Sequence, residues 1–330
     1  MKFGEISLDR AEGAILAHSQ ALPGGRLRKG RVLESRDIAQ LRTAGVASVI
    51  AAILDAGDLT EDDAATRIAD ALVPDPEAAG LRLTVASTGR VNVYATGPGV
   101  LKLDETALHA LNRLDPMVTV ATLPPFARLA AGTMAATVKI ISYAVPEAVV
   151  AEGAALCAGA LTRAPVRLKN ATLVVTDLGQ GPGKGEDAIA LRLERLGMTL
   201  TAVEVVPHDA PSIAAALADV QSDLALLLTA SATSDSRDVG PSGLIRAGGQ
   251  VARFGMPVDP GNLLFYGDLG GRPVIGLPGC ARSPALNGAD WVLERLCCGL
   301  VPTSADIAAM GVGGLLKESP ARPHPRARSV

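Results

Sequence analysis

From Asn170 onward the chain alternates short apolar runs with amphipathic stretches, and this rhythm limits the possible folds more than any other feature. Thr172 to Thr176 is an apolar run, Glu186 to Leu196 is amphipathic and closes at Gly197, Leu200 to Val206 reads as a strand, and Ser212 to Val220 reads as a helix. Leu224 to Leu228 is apolar throughout, so it must be covered on both faces. Strands separated by helix-length segments pair in parallel. Gln250 to Phe254, Leu263 to Tyr266 and Pro273 to Leu277 add shorter strands, and Leu286 to Leu296 adds a last helix. The expected fold class is α/β: a three-layer, mostly parallel sheet preceded by smaller α+β modules.

Upstream the pattern is different. Ser35 is placed to cap a short helix from Arg36 to Ala44, ended by Gly45, and Val46 to Leu54 follows as a strand. Thr60 with Asp63 forms a capping-box-like start to a helix reaching Val73, after which Pro74-Asp75-Pro76 breaks the chain. Leu81 to Ala86, Val91 to Ala95, Val118 to Leu123 and Ala135 to Val145 are β-like, with a helix from Glu105 to Leu114 between them. Pro146 opens a helix from Glu147 to Ala160. These breaks divide the chain into 1–77, 78–164, 165–302 and a tail, 303–330, whose stretch Ser319 to Arg326 is proline-rich and basic.

Composition narrows the partners. Aromatic residues make up only 2%, which leaves little for stacking bases, and 31 basic residues against 34 acidic ones create no global field. A nucleic-acid partner is therefore not expected, and an anionic ligand must be held locally. Charges such as Arg128 and Lys139 interrupt the apolar stretches, so no membrane span is expected. The first residues have no signal-peptide shape, and Cys157, Cys280, Cys297 and Cys298 lack metal-site spacing. A reducing cytoplasm fits these features.

Open parallel sheets bind ligands at the carboxyl ends of their strands, so the loops there are the places to look. Asp177 to Gly185 is glycine-rich and carries Lys184; it reads either as a mobile connection or as a loose phosphate-binding loop, without Walker spacing. Asp209, after Pro207-His208, is placed to cap the next helix. Thr229 to Pro241 is rich in hydroxyls and suited to holding phosphate or a polyhydroxy ligand. Two proline–glycine segments, Gly255 to Asn262 and Gly276 to Pro284, turn sharply after apolar runs.

The order of Val206-Pro207-His208-Asp209, Leu228-Thr229 to Arg237-Asp238-Val239, Met256-Pro257-Val258-Asp259-Pro260-Gly261-Asn262 and Leu277-Pro278-Gly279 resembles the molybdopterin-binding family of molybdenum-cofactor biosynthesis, the MoeA and MogA type. The likeness covers about residues 165 to 300, and Lys29-Gly30 to Leu54 is similar to the stretch preceding this domain in the MoeA branch. It implies molybdopterin or its adenylylated form as ligand. The implied contacts are Thr229, Ala230, Ser231, Ala232, Thr233 and Arg237 in one loop, and Asp259, Pro260, Gly261 and Asn262 in a second. Pro278, Gly279, Cys280, Ala281, Arg282 and Ser283 form a third. Asp209 and Asp238 match carboxylates that in the family serve phosphoryl chemistry and its magnesium, which makes them the implied catalytic and metal-binding residues, with ATP as co-substrate. A homo-oligomer is implied as well, as is hand-over to a recipient molybdoenzyme or a nucleotidyltransferase. Gly311 to Leu316 is similar to the lead-in to a fused nucleotidyltransferase domain.

The departures shape the expectation. Ala230 and Ser231 stand where the family has paired glycines, Val258, Asp259 and Asn262 remove two positive charges, and Cys280 replaces an asparagine. These changes favour a binding protein over a molybdopterin adenylyltransferase or molybdate-inserting transferase. A relative of the competence-damage proteins, which act on pyridine nucleotides, is a further alternative. Cys280 is either a small packed side chain or a thiolate facing molybdenum or a dithiolene. Arg237 can offset Asp238 or face a phosphate. Cys297, Cys298 and Trp291 are expected in the core.

Overall fold

The computed structural model describes residues 1–181 and 183–316, arranged as two compact units: Met1–Gly97 with Leu101–Arg163, and Pro98–Val100 with the chain from Ala164 onward. Among the described residues no helix is long and apolar enough to cross a membrane.

The first unit contains two apolar cores. One is built by β1 (Lys2–Ser7), β2 (Ile15–Leu16), the hairpin of β3 (Gln20–Leu22) and β4 (Gly25–Leu27), α1 (Ser35–Thr43) and β5 (Ser48–Ile53) around Leu16, Leu33, Leu41 and Val49. β5 lies between β1 and β2, antiparallel to both. Glu34 rather than Ser35 caps α1, because Glu34 and Asp37 bond reciprocally to each other's backbone N–H.

The other core gathers β6 (Asp58–Thr60), α2 (Glu61–Leu72), α3 (Pro76–Ala79), β7 (Leu81–Leu83), β8 (Arg90–Ala95), β9 (Gly99–Leu103) and α4 (Glu105–Leu114). β10 (Val118–Thr122), β11 (Arg128–Leu129), β12 (Met134–Ile140), β13 (Ala144–Pro146), α5 (Glu147–Leu156) and β14 (Leu161–Pro165) complete it. The antiparallel sheet β10-β12-β8-β7 packs Val91, Val93, Val138 and Ile140 with Ile68, Leu72, Leu111 and Val150 of α2, α4 and α5. Thr60 caps α2, accepting from the Asp63 N–H at 3.2 Å.

α2 corrects the expected boundary at 77. Its apolar face needs the following sheet for cover, so the two cores separate between Ile53 and Asp58, within a single unit. The strand expected from Ala135 to Val145 is two strands, broken after Ile140, and the helix expected to reach Ala160 ends at Leu156.

The second unit has three layers. Its strands are β15 (Asn170–Asp177), β16 (Thr199–Pro207), β17 (Leu224–Leu228), β18 (Gln250–Phe254), β19 (Phe265–Leu269) and β20 (Arg272–Leu277), in the order β16-β15-β17-β20-β19-β18. The helices are α6 (Glu186–Glu194), α7 (Ala210–Asp219), α8 (Val239–Arg246), α9 (Gly288–Cys297) and α10 (Ser304–Ala309). β17 shows why both faces are covered. Its Leu224, Leu226 and Leu228 pack with Ile189 and Leu193 of α6 and with Val292 and Leu296 of α9, while Ala225 and Leu227 pack with Ile213 and Leu217 of α7 and Leu244 of α8.

β15, β16, β17 and β20 run parallel, and β19 runs against β20. β18 runs against β19 and so returns to the common direction, which places the carboxyl ends of five strands on one rim. α8, unmarked in the sequence by reason of Gly240, Pro241 and Gly243, forms because Asp238 caps it and Leu244 is buried. A Cβ at Gly243 would lie 2.4 Å from Ile213 Cγ2, so the glycine permits close helix packing with α7. The expected tail from 303 begins with structure instead. Thr303 caps α10, and Asp259 pairs with Leu315 in an isolated parallel bridge. Ser319 to Arg326 lies outside the described residues.

Candidate functional site

α6 leaves β15 toward one face of the sheet and α8 leaves β17 toward the other, as their membership in opposite cores shows. The connections therefore diverge between β15 and β17, and it is at such a switch point that open parallel sheets bind their ligands. Thr176, near the end of β15, is fully buried there. Its Oγ1 accepts from the Ala230 N–H at 2.7 Å and shares a hydrogen bond with His208 Nδ1 at 2.8 Å. One hydroxyl thus ties the ends of β15, β16 and β17 together. Thr176→Val preserves shape but strips both partners, and is expected to cost about 1–3 kcal/mol of stability in urea unfolding; a change within error would remove Thr176 from this role.

The hydroxyl-rich loop after β17 is folded largely by its own side chains. Thr229 donates from Oγ1 to the Ser231 carbonyl at 2.7 Å, and Thr229 and Thr233, both buried, approach at 3.4 Å. Ala230, Ser231 and Ala232 are exposed. Arg237 pairs with Asp235 at 2.9 Å and not with Asp238. The Asp235 carboxylate raises the Arg237 pKa, and the Arg237 guanidinium in turn lowers that of Asp235.

Asp238 and Asp209 act as helix caps. Asp238 accepts from the N–H groups of Val239 at 2.7 Å and Ser234 at 3.0 Å, while Asp209 accepts from the Ser212 N–H at 2.7 Å and its hydroxyl at 3.1 Å. Among the described residues no three His, Cys, Asp or Glu side chains gather where a metal ion could be held. Both carboxylates are engaged at the starts of helices, Asp209 at α7 and Asp238 at α8.

The segment after β20 reaches the connections after β15 and β17. Pro278 and Ala281 are buried, Gly279 and Ser283 are exposed, Cys280 is half-buried, and Gly279–Arg282 makes a single 3-10 turn. Arg282 donates from Nη1 to the Lys184 carbonyl at 2.8 Å and from Nη2 to the Thr229 carbonyl at 3.3 Å. Desolvation lowers its pKa from the ordinary guanidinium value. Through this one side chain the connections after β15, β17 and β20 meet.

Arg192 anchors that segment from beneath, and sequence reasoning missed it. Its side chain is 4% exposed, bonds Asp290 Oδ1 through Nε at 2.6 Å, and spreads its remaining donors over the carbonyls of Ala188, Ala281, Ser283 and Ala285. The signal was present: Ala188, Ile189, Arg192, Leu193 and Leu196 follow helical spacing, which puts an arginine inside the apolar stripe.

Asp259, Pro260, Gly261 and Asn262 follow β18 on the same rim, but their main chain is occupied. Asp259 bonds Gly314 and Leu316, the Pro260 carbonyl accepts from Gly288, and the Asn262 carbonyl accepts from Met256. Pro260 and Gly261 are buried, and a Cβ at Gly261 would lie 2.6 Å from the Gly288 nitrogen. These residues pack the start of α9. In the first unit, an open depression of about 510 Å³ lies between Leu22–Leu27 and Ala39, Gln40 and Thr43 of α1; it contains none of the groups named from sequence.

Comparison with known proteins adds little to this geometry. Residues 5–53 match a family described as a domain of unknown function, DUF8806. No curated protein matches the chain. A molybdopterin biosynthesis MoeA protein from Pyrococcus horikosii is similar at 13% identity over 91% of this chain and 75% of that one, with a TM-score of 0.33. A molybdenum cofactor biosynthesis protein from Pyrococcus furiosus is similar at 12% identity over 92% and 66%, with a TM-score of 0.27. These values are too low to place the chain in the family of either protein.

Proposed function

We propose that this chain binds molybdopterin, or its adenylylated form, at the carboxyl rim of the second unit and serves molybdenum-cofactor biosynthesis as a carrier. The observation behind this reading is Arg282, which joins the connections after β15, β17 and β20 at the switch point. A phosphate-bearing pterin needs a cation and hydroxyl donors beside a slot for its ring. Arg282 and the exposed Ser231 supply such chemistry, with the half-buried His208 alongside. Capping by Asp209 and Asp238 favours holding the ligand over turning it over.

Isothermal titration with molybdopterin and with its adenylylated form, run beside an ATP-turnover assay, tests the reading. Saturable binding without turnover is expected, with Asp238→Ala within about threefold of the parent affinity. Absence of binding to both forms overturns it. ATP turnover that disappears with Asp209→Asn or Asp238→Asn favours the transferase alternative.

A further inference from the structure

Arg282 does more at the rim than offer charge. Its side chain lies flush against Gly183 and Gly185: a Cβ at Gly183 would come 3.3 Å from Nη1, and one at Gly185 would come 3.0 Å from Cγ. Both glycines have positive φ, at 74° and 143°, so the entry to α6 is shaped to receive this arginine. Two of its bonds go to neutral carbonyls, of Lys184 and Thr229. Arg192 holds the Ala281 and Ser283 carbonyls on either side, which fixes the backbone of Arg282 while its guanidinium can exchange partners.

A guanidinium binds a phosphate through two parallel charge-assisted hydrogen bonds, stronger than bonds to neutral carbonyls, and the same Nη1 and Nη2 donors would be used. We propose that Arg282 is an anion-operated latch: a phosphate group arriving at the rim draws the guanidinium from the carbonyls of Lys184 and Thr229 and releases the entry to α6. This rests on reading the rim as the site of an anionic ligand, and it names the part of the ligand that is sensed. Linkage makes the effect reciprocal, since a held entry opposes the anion by as much as the anion opposes holding. Nothing covalent changes.

Lys184 provides the readout, because it is exposed and the carbonyl that Arg282 holds belongs to the bond trypsin would cleave. The full chain is digested with trypsin, and the cut after Lys184 is followed by mass spectrometry, with and without pyrophosphate and with chloride at matched ionic strength. Cleavage of transiently opened segments tracks the open population, so Arg282→Ala is expected to be cut about tenfold faster than the parent. Pyrophosphate should raise the parent rate saturably toward that of the variant and leave the variant unchanged. Equal rates for parent and variant, or a parent rate that pyrophosphate leaves alone or lowers, overturn the latch. If Arg282→Ala fails to fold, hydrogen exchange of the Ile189 amide, which bonds the Gly185 carbonyl at 3.1 Å, replaces the comparison in the parent protein, with and without pyrophosphate: faster exchange with pyrophosphate supports the latch, and unchanged or slower exchange rejects it. No pterin enters the experiment. A chain that binds molybdopterin without latch behaviour refutes only the latch, and one that answers pyrophosphate but ignores molybdopterin refutes only the carrier reading.

Discussion

Replacing Arg192 with methionine is expected to lower the unfolding free energy by about 3–5 kcal/mol, the cost of breaking a buried ion pair from one side. Asp290 would be left 8% exposed without its cation, although it also accepts from the Asn287 N–H at 2.8 Å and so helps start α9. The carbonyls of Ala281, Ser283 and Ala285 would lose their shared donor as well. Urea unfolding followed by circular dichroism measures the loss. The double change Arg192→Met with Asp290→Leu should recover part of it, since an apolar pair of similar volume replaces a buried ion pair at little net cost. A single variant within about 1 kcal/mol of the parent would contradict the anchoring role. Arg192→Lys should rescue poorly, because an ammonium lacks the planar fork that reaches a carboxylate and several carbonyls together.

The second large effect is expected at Gly276. This residue pairs across the sheet with Phe265, whose ring covers it, and a Cβ there would lie 1.9 Å from Phe265 Cε1. The ring is itself fully buried among Val174, Leu227, Leu244 and Val274 and has no open direction to move. Gly276→Ala should therefore cost about 3 kcal/mol or more through overpacking. Gly279→Ala, three residues on, meets nothing within 4 Å and should stay within about 0.5 kcal/mol. Thermal unfolding of the pair provides the contrast, and equal midpoints would show that the ring yields.

Much of the second unit could be read from its periodicities. β17 and β18 have the expected bounds, and β15, β16, β20, α6, α7 and α9 lie within a few residues of theirs, because apolar runs and cap residues are local signals. α8 was not legible, since its two glycines and proline lower helix propensity and only packing against α7 repays them. β9 and β14 were missed for a related reason: short strands carry little periodic signal of their own. In the candidate site, Asp209 was legible as a cap from its place before a helix. The packing of Asp259 to Asn262 was not legible, because their main-chain partners, Gly288 and Gly314 to Leu316, are remote in sequence. Arg192 escaped notice because a charged residue inside an apolar stripe is readily assigned to the outer face.

β16 ends the large sheet on one side. Among the described residues it pairs only with β15, through eight of its nine residues, and Val203 and Val205 stand exposed on it. A margin of this length presents a row of unclaimed amides and carbonyls to any extended peptide of compatible register. Glu204 is its sole carboxylate. Along this edge the guard against pairing with another strand thus consists of a single negative charge and the proline that closes the strand.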